Sequence, residues 1–350
     1  MTQLSDSPLI SICVPTYNGA EYLIECLESI QAQTLNDFEV IIVDDDSTDR
    51  SFEIATEFAR RDSRFKAYRN SKRLGLVGNW NRCLEISGGT WIKLLFQDDK
   101  VEPNCLERLL ESCERLKRPF GFCHRHILFD AADDKAAQSY FDEYQRMIER
   151  FYGDKEYLDA DAFAEICATG SYNPVGEPTV TIFHRSIIKQ FGLFNPNLIQ
   201  ICDAEFWMRV GTNVGIVHIP EKLATFRVHG RSTTAHNLSK RRYRTKMLDC
   251  LVINYLILRD PLYRNMRKAL YRRLGHVTTW WQCIYEAHRA WKTAYPNFFG
   301  ASGDVEIQGE WKNVVQFYPE VRLFAFAGIF LSKIRQGVKI IGLEPYLRKL

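Results

Sequence analysis

Thr90-Trp91-Ile92-Lys93-Leu94-Leu95-Phe96-Gln97-Asp98-Asp99 carries more structural information than any other stretch of this chain. The run from Thr90 to Phe96 has the apolar, β-favouring make-up of a buried strand, and two adjacent carboxylates follow almost at once. In open α/β sheets, ligands bind outside the carboxyl ends of the strands. Two neighbouring carboxylates repel each other and tolerate desolvation poorly unless a cation joins them. Asp98 and Asp99 therefore suggest a site for Mg²⁺ or Mn²⁺ and for a phosphate carried by that ion. The competing reading is a solvated acidic turn that caps a helix beginning near Glu102.

The residues upstream repeat the same strand-then-polar pattern. Leu9 to Val14 reads as a strand broken by Pro15-Thr16-Tyr17-Asn18-Gly19, and a helix follows with Tyr22, Leu23, Cys26, Leu27 and Ile30 on one face. Phe38 to Val43 is a second strand, ended by Asp44-Asp45-Asp46-Ser47-Thr48-Asp49. The next helix places Phe52, Ala55, Thr56 and Ala59 together, and Phe65 to Arg69 is a short third strand. A helix over Gly75 to Ser87 and the stop Gly88-Gly89 lead into the 90–96 strand. Successive β-α units predict a mainly parallel sheet covered on both faces. Farther on, strands are expected over 119–129, Thr179–Phe183 and Val214–Ile219, a polar helical stretch over 133–168, and a helix over Cys202–Val210. From about Ser239 the pattern is helical. Tyr263, Met266, Leu270 and Leu274 share one face, and Val277, Trp280, Trp281 and Ile284 another. A polar loop at 300–309 is expected before a last helix bearing Val321, Phe324 and Phe330.

A length of 350 residues favours one large α/β domain plus an appendage, divided here into residues 1–237 and 238–350. The net charge of +3 hides an asymmetry. Residues 238–350 hold 20 Lys and Arg against 8 Asp and Glu, whereas the remainder holds 26 against 35. The acidic part suits a metal-dependent catalytic unit, and the basic part suits an anionic neighbour. The ten cysteines show neither C-x-x-C nor zinc spacing. No secretory leader precedes Leu9, and no stretch approaches the ~20 apolar residues of a membrane span. A reducing cytoplasm is the expected compartment.

Four segments, in order, resemble the inverting family 2 glycosyltransferases of the GT-A fold: Pro15-Thr16-Tyr17-Asn18, Val43 to Asp49, Gln97-Asp98-Asp99, and Cys202-Asp203-Ala204-Glu205-Phe206-Trp207. The family usually has Gly where Asp46 stands. The resemblance covers about residues 8–235 and leaves 238–350 outside. It implies a mainly parallel Rossmann-like nucleotide-binding sheet with helices on both faces, here followed by a helical C-terminal region. It also implies that Asp45 accepts a hydrogen bond from an imide N–H such as that of uracil, a bond an ionised acceptor strengthens. Asp99 then binds the divalent ion, Mn²⁺ or Mg²⁺, and Asp98 faces the ribose and donor sugar. Asp203 becomes the base that takes the acceptor proton in a single displacement. For both Asp45 and Asp203, helix capping is the alternative.

Pro15, Thr16, Tyr17 and Asn18 leave the first strand where a base or ribose would lie, although Asn18-Gly19 also suits a plain turn. Asn79 and Arg82 either reach the nucleotide or face solvent from their helix. The turn Asn173-Pro174-Val175-Gly176-Glu177-Pro178-Thr179 is similar to one that lines the donor and acceptor pocket. Gly176 and Glu177 are assigned there with Glu205 and Trp207. Phe226 to Ser232 resembles a loop that closes over the diphosphate. His229 in it is a second metal ligand or phosphate contact, and Arg227 and Arg231 are phosphate clamps.

The chain lacks the Gln-x-x-Arg-Trp motif of processive synthases, which favours transfer of a single sugar, as in bacterial surface glycan assembly. It also lacks G-x-G-x-x-G after a strand and the P-loop pattern. A nucleotide-sugar-binding scaffold without turnover and a sugar nucleotidyltransferase are the competing functions. The expected partners are a nucleotide-sugar donor, UDP-linked in first preference, and a glycan or lipid-linked acceptor, with no nucleic acid. Lys333, Arg335, Lys339, Arg348 and Lys349 lie near Phe324, Phe326, Ile329, Phe330 and Ile334. This region either rests peripherally on the inner face of a membrane or packs as a helical cap, alone or in a homo-oligomer.

Overall fold

Mostly apolar runs form the centre of the sheet. In the computed structural model, which describes residues 7–130, 135–170, 173–230, 241, 243–296 and 304–329, β1 (Ile10–Thr16), β2 (Phe38–Asp44), β3 (Phe65–Arg69) and β4 (Trp91–Leu94) run parallel in the order β3-β2-β1-β4. β1, β2 and β4 are buried along their whole length, as a doubly covered parallel sheet requires. The crossovers are α1 (Leu23–Gln31), α2 (Ser51–Arg61) and α3 (Leu76–Ile86). All three loops that leave β1, β2 and β4 therefore emerge at one edge of the sheet, where the polar motifs lie.

Beyond β4 the sheet is mixed. The remaining strands are β5 (Lys100–Val101), β6 (Phe120–Phe129), β7 (Tyr157–Leu158), β8 (Thr181–His184) and β9 (Ile216–Val228). β8 lies antiparallel between β4 and β6, β6 pairs parallel with β9, and β5 and β7 add short antiparallel pieces to β9. The helices of this half are α4 (Cys105–Arg115), α5 (Lys135–Tyr152), α6 (Ala160–Cys167), α7 (Ser186–Phe191) and α8 (Cys202–Val214).

The chain divides into two compact units, Met1–Pro196 with Ile201–Ala235, and Asn197–Gln200 with His236–Leu350. The second contains α9 (Asp249–Arg259), α10 (Arg264–Leu274), α11 (His276–Ala294), α12 (Val305–Phe317) and a helix over 321–329. Its buried Asp249 accepts the backbone N–H groups of Ile199 (3.2 Å) and Gln200 (2.8 Å) and pairs with Arg244 at 3.3 Å.

Several elements differ from the sequence expectation. The 133–168 stretch is not one helical region: α5 ends at Gly153, where φ is +52°, β7 intervenes, and α6 restarts behind the Asp159 N-cap. In α2 the buried face is Ser51, Ile54, Ala55 and Phe58, and Thr56 is exposed. Phe226 to Val228 continue β9 instead of forming a loop, because β6 pairs with them throughout. Asp304 caps a helix inside the stretch expected to be loop. Leu274, Val277 and Trp281 point outward, since small residues of α11 supply its buried side. The Phe330 to Lys349 segment lies outside the described residues.

Glu205 and Arg209 form a buried pair within α8, with Arg209 Nε 2.7 Å from Glu205 Oε1 and Nη2 3.1 Å from Oε2. Arg209 also donates to the carbonyls of Phe191 and Leu193. Replacing Arg209 by Met would leave a buried carboxylate without its cation. Arg209→Met should therefore lower the unfolding free energy by about 3–5 kcal/mol. Urea denaturation checks this, and a midpoint equal to wild type would show the pair to be dispensable.

Candidate active site

The loops at the strand ends are stapled together by side chains. Gln97, just past β4, accepts the Tyr17 N–H at 2.8 Å and donates to the Tyr17 carbonyl at 3.1 Å. A Cβ on Gly19 would lie 2.2 Å from the Gln97 carboxamide carbon, so a larger residue there would displace the Gln97 side chain from Tyr17. Asn18 adopts the left-handed region at φ +47° and accepts the Thr48 N–H at 2.9 Å, so its side chain joins the first loop to the second. Thr16 is buried, and its carbonyl accepts the Asp45 N–H at 2.8 Å. Pro15 remains within β1.

Asp45 is also buried. Its Oδ1 accepts from Leu74 N (2.7 Å) and Asn70 Nδ2 (2.9 Å), and its Oδ2 from Gly75 N (2.9 Å). Oδ2 thus keeps one lone pair beyond that hydrogen bond. Asn79 does not reach outward: it donates to the Val43 (2.9 Å) and Thr16 (3.4 Å) carbonyls and accepts from Asn70 at 2.9 Å, bracing β1 and β2 from beneath. Arg82 lies on the exposed side of α3, 3.7 Å from Glu85.

The acid pair separates into two environments. Asp99 is buried, and its oxygens accept from the Arg227 N–H (3.0 Å) and the Thr179 hydroxyl. Burial and then the neighbouring Asp98 charge push its carboxyl well above the ordinary range. Asp98 is partly accessible and lies 2.9 Å from His229 Nε2. The other ring nitrogen, Nδ1, is buried without a hydrogen-bond partner among the described residues. Among those residues no three His, Cys, Asp or Glu side chains converge on one point. A destabilised carboxylate beside a second one, with few protein ligands, fits Mg²⁺ or Mn²⁺, which take one or two carboxylates and complete their shell with phosphate and water.

Asp203 is the first-turn residue of α8. Its Oδ1 accepts the Ala204 N–H at 2.7 Å, and its Oδ2 accepts from Asn173 Nδ2 at 3.1 Å. Burial, opposed by that Ala204 bond and reinforced by the Glu177 charge, pushes its carboxyl up to about 7. Asn173 opens the turn whose last residue, Thr179, donates to Asp99. One short turn therefore holds Asp203 at one end and Asp99 at the other.

That turn is tethered along its length. Tyr144 and Tyr152 of α5 donate to the carbonyls of Asn173 (2.8 Å) and Pro174 (2.9 Å). Gly176 has φ +115° and places its carbonyl 3.0 Å from Trp207 Nε1. Glu177 pairs with the buried Arg125 of β6 at 2.8 Å. The buried Lys93 ammonium of β4 donates to the Thr179 carbonyl, and burial pushes its pKa down.

Three further expectations need correction. Glu205 is buried and faces Arg209 instead of a pocket, because the i, i+4 spacing on α8 closes that pair. Trp207 is fully buried and stacks on Phe120 at 5.4 Å, so it holds the turn from below and does not line a cavity. The Arg227 guanidinium is engaged by Glu25 (2.8 Å), Asp130 (3.1 Å) and the Asp98 carbonyl (3.2 Å), and it stacks on Tyr22. Arg231 lies outside the described residues. Asn173, Thr179, Arg125, Tyr144 and Lys93 were not singled out as site residues. Asn173 had a signal, since it opens the Pro-Gly turn. The others are joined to the site only by tertiary pairing.

The model of glycosyl transferase family 2 matches residues 11–191, more than half of the chain. The chain belongs to that family. This glycosyltransferase is 30% identical over 279 residues to an uncharacterized protein of Mycobacterium tuberculosis, MT1568, covering 80% of this chain and 84% of that one. Among solved structures it is similar to Staphylococcus aureus TarS 1–349 in complex with UDP-GlcNAc, with a TM-score of 0.56 and 17% identity over 89% of this chain and 81% of that one. It is also similar to the mannosyltransferase PcManGT of Pyrobaculum calidifontis in complex with GDP-Man and Mn²⁺, with a TM-score of 0.54 and 16% identity over 93% and 86% of the two chains. At such identities the structural likeness establishes the shared GT-A fold.

Carboxyl-carbon NMR should find Asp203 of the ligand-free glycosyltransferase titrating at about 7. Asn173→Ala removes a hydrogen bond that favours the ionised form, so it should raise that midpoint further, by about one unit. Titration of Asp203 in the ordinary range near 4 would contradict the burial argued here.

Proposed function

We propose that this glycosyltransferase moves one sugar, with inversion, from a nucleotide donor to an acceptor hydroxyl, using Mn²⁺ or Mg²⁺. The observation that carries the reading is the single turn joined by hydrogen bonds to Asp203 at Asn173 and to Asp99 at Thr179. A base and a metal-binding carboxylate must face each other across the transferred sugar, and this turn fixes their separation.

Asp203 takes the proton of the acceptor hydroxyl as that oxygen bonds to the anomeric carbon. The bond from the anomeric carbon to the diphosphate oxygen breaks, and its electron pair stays on the leaving nucleoside diphosphate. A base with a pKa near 7 is half ionised at neutral pH, which suits proton acceptance there. Asp99 would hold the divalent ion, with His229 as a second ligand or phosphate contact, and Asp98 would face the ribose and donor sugar. The ion supplies charge neutralisation at the diphosphate.

Asp45 would accept the base N–H through the lone pair left on Oδ2. β2 and β4 are separated by β1, hence by about 10 Å, a distance on the scale of a nucleoside. A carboxylate acceptor favours UDP or dTDP, and TarS binds UDP-GlcNAc. PcManGT binds GDP-Man, which keeps GDP as the comparison to run. The basic composition of residues 238–350 supports a lipid-linked acceptor met at the inner face of a membrane, in bacterial surface glycan assembly. No helix among the described residues is long and apolar enough to cross a bilayer.

Thermal melting with UDP, dTDP and GDP, each with and without Mn²⁺, tests base and metal together. UDP with Mn²⁺ should raise the melting temperature most, by mass action, and Asp99→Asn should abolish the Mn²⁺-dependent part. Asp203→Asn should keep that stabilisation while slowing nucleoside diphosphate release from a UDP-sugar by about 10²–10⁴-fold. Binding without turnover for every donor and acceptor pair tried with wild type would mark a scaffold.

A further inference from the structure

Helix α11 turns a row of large side chains outward. The inward face of α11 is Thr279, Cys283, Ala287, Ala290 and Ala294, all small. The outward row is Val277 (64% exposed), Trp281 (45%) and Tyr285 (56%), each four residues from the last. Singly exposed apolar residues are ordinary, but a row of three with two aromatics is not. Residues 272–278 at the α10–α11 corner are exposed without a break, and they include Leu274 at 39%.

The charge of the adjoining helix says what this row meets. α10 carries Arg264, Arg267, Lys268, Arg272 and Arg273 and no acidic residue. Arg267 is used internally, capping α9 through the carbonyls of Ile257 (2.7 Å) and Leu258 (3.0 Å). Arg264, Lys268, Arg272 and Arg273 are exposed, the first three again at four-residue spacing. A basic row and a Trp/Tyr-bearing row on successive helices joined by an exposed corner match the chemistry of an anionic lipid surface. Tryptophan and tyrosine settle at the headgroup level, and lysine and arginine pair with lipid phosphates.

We propose that the α10–α11 corner is a docking surface for an anionic bilayer, with Leu274, Val277, Trp281 and Tyr285 entering the headgroup region. The proposal deepens the reading that this enzyme works beside a membrane, and it places the contact on residues other than the basic segment beyond 330. Nucleotide binding plays no part in it.

Co-sedimentation of the full chain with vesicles of phosphatidylcholine plus phosphatidylglycerol, and of phosphatidylcholine alone, tests the proposal. Wild type should bind the mixed vesicles, bind the neutral ones weakly, and be released by salt. Val277→Ser, Trp281→Ser and Tyr285→Ser together, or Lys268→Glu with Arg273→Glu, should each weaken binding about tenfold or more while the melting temperature with UDP stays at the wild-type value. No binding by wild type would overturn both this proposal and the wider membrane reading. Binding kept by both corner variants but lost by Lys333→Gln, Arg335→Gln and Lys339→Gln together would overturn the corner alone. A lipid-free dimer that the triple serine variant converts to monomer would also overturn it, by assigning the face to a second copy of the chain.

Discussion

The hydrogen-bonded turn from Asn173 to Thr179 is the constraint on which the site depends. It leads into β8 and is joined by hydrogen bonds to Asp203 of α8 and to Asp99 beyond β4. Tyrosines of α5 hold its start, Trp207 its middle, Arg125 its acidic residue and Lys93 its end. The tyrosine, Trp207 and Lys93 tethers satisfy polar groups that burial would otherwise penalise, and Arg125 neutralises Glu177. The turn is therefore fixed by its surroundings instead of by local sequence preference alone. Rigid support of this kind holds two reacting partners within the narrow range of distance that a displacement needs.

The same tethers shape the electrostatics. Burial raises the carboxyl pKa of both Asp99 and Asp203, and the negative charge of Glu177, between the two ends of the turn, adds to it. Arg125 balances part of that charge from one side. Asp203 is brought up to about 7, and Asp99, deeper and beside Asp98, is held well above the ordinary carboxylate range. Two carboxylates in one site thus acquire different chemistry from their environments.

Much of this was legible in the sequence, and the physical reason differs by region. β1, β2 and β4 are mostly apolar runs, broken inside by Ser11, Glu39 and Lys93 and ended by polar residues, so strand, sheet type and the edge that carries the site follow directly. Asp98, Asp99 and Asp203 stand at strand and helix ends, where the polar-after-apolar pattern is strong. Glu205 was misplaced because an acid two residues from Asp203 looks like part of the same site. Its i, i+4 relation to Arg209 was the available signal that it is buried. Arg125, Tyr144 and Lys93 could not be found this way, since their roles arise from pairings between β6, α5, β4 and the turn. On α11 the apolar periodicity groups Val277, Trp280, Trp281 and Ile284 on one face, yet Val277 and Trp281 are exposed and do not form the packed side. The alanines and Cys283 on the opposite side pack there instead, because small residues let neighbouring helices approach.

A crystal structure of the glycosyltransferase soaked with UDP and Mn²⁺ addresses the convergence of Asp45, Asp99 and Asp203 most directly. It should show the base against Asp45 and an anomalous peak for the metal between Asp99 and the diphosphate. Asp203 should lie across a gap the width of one sugar ring. A nucleotide bound elsewhere, or a diphosphate separated from Asp203 by several sugar lengths, would contradict the shared cleft.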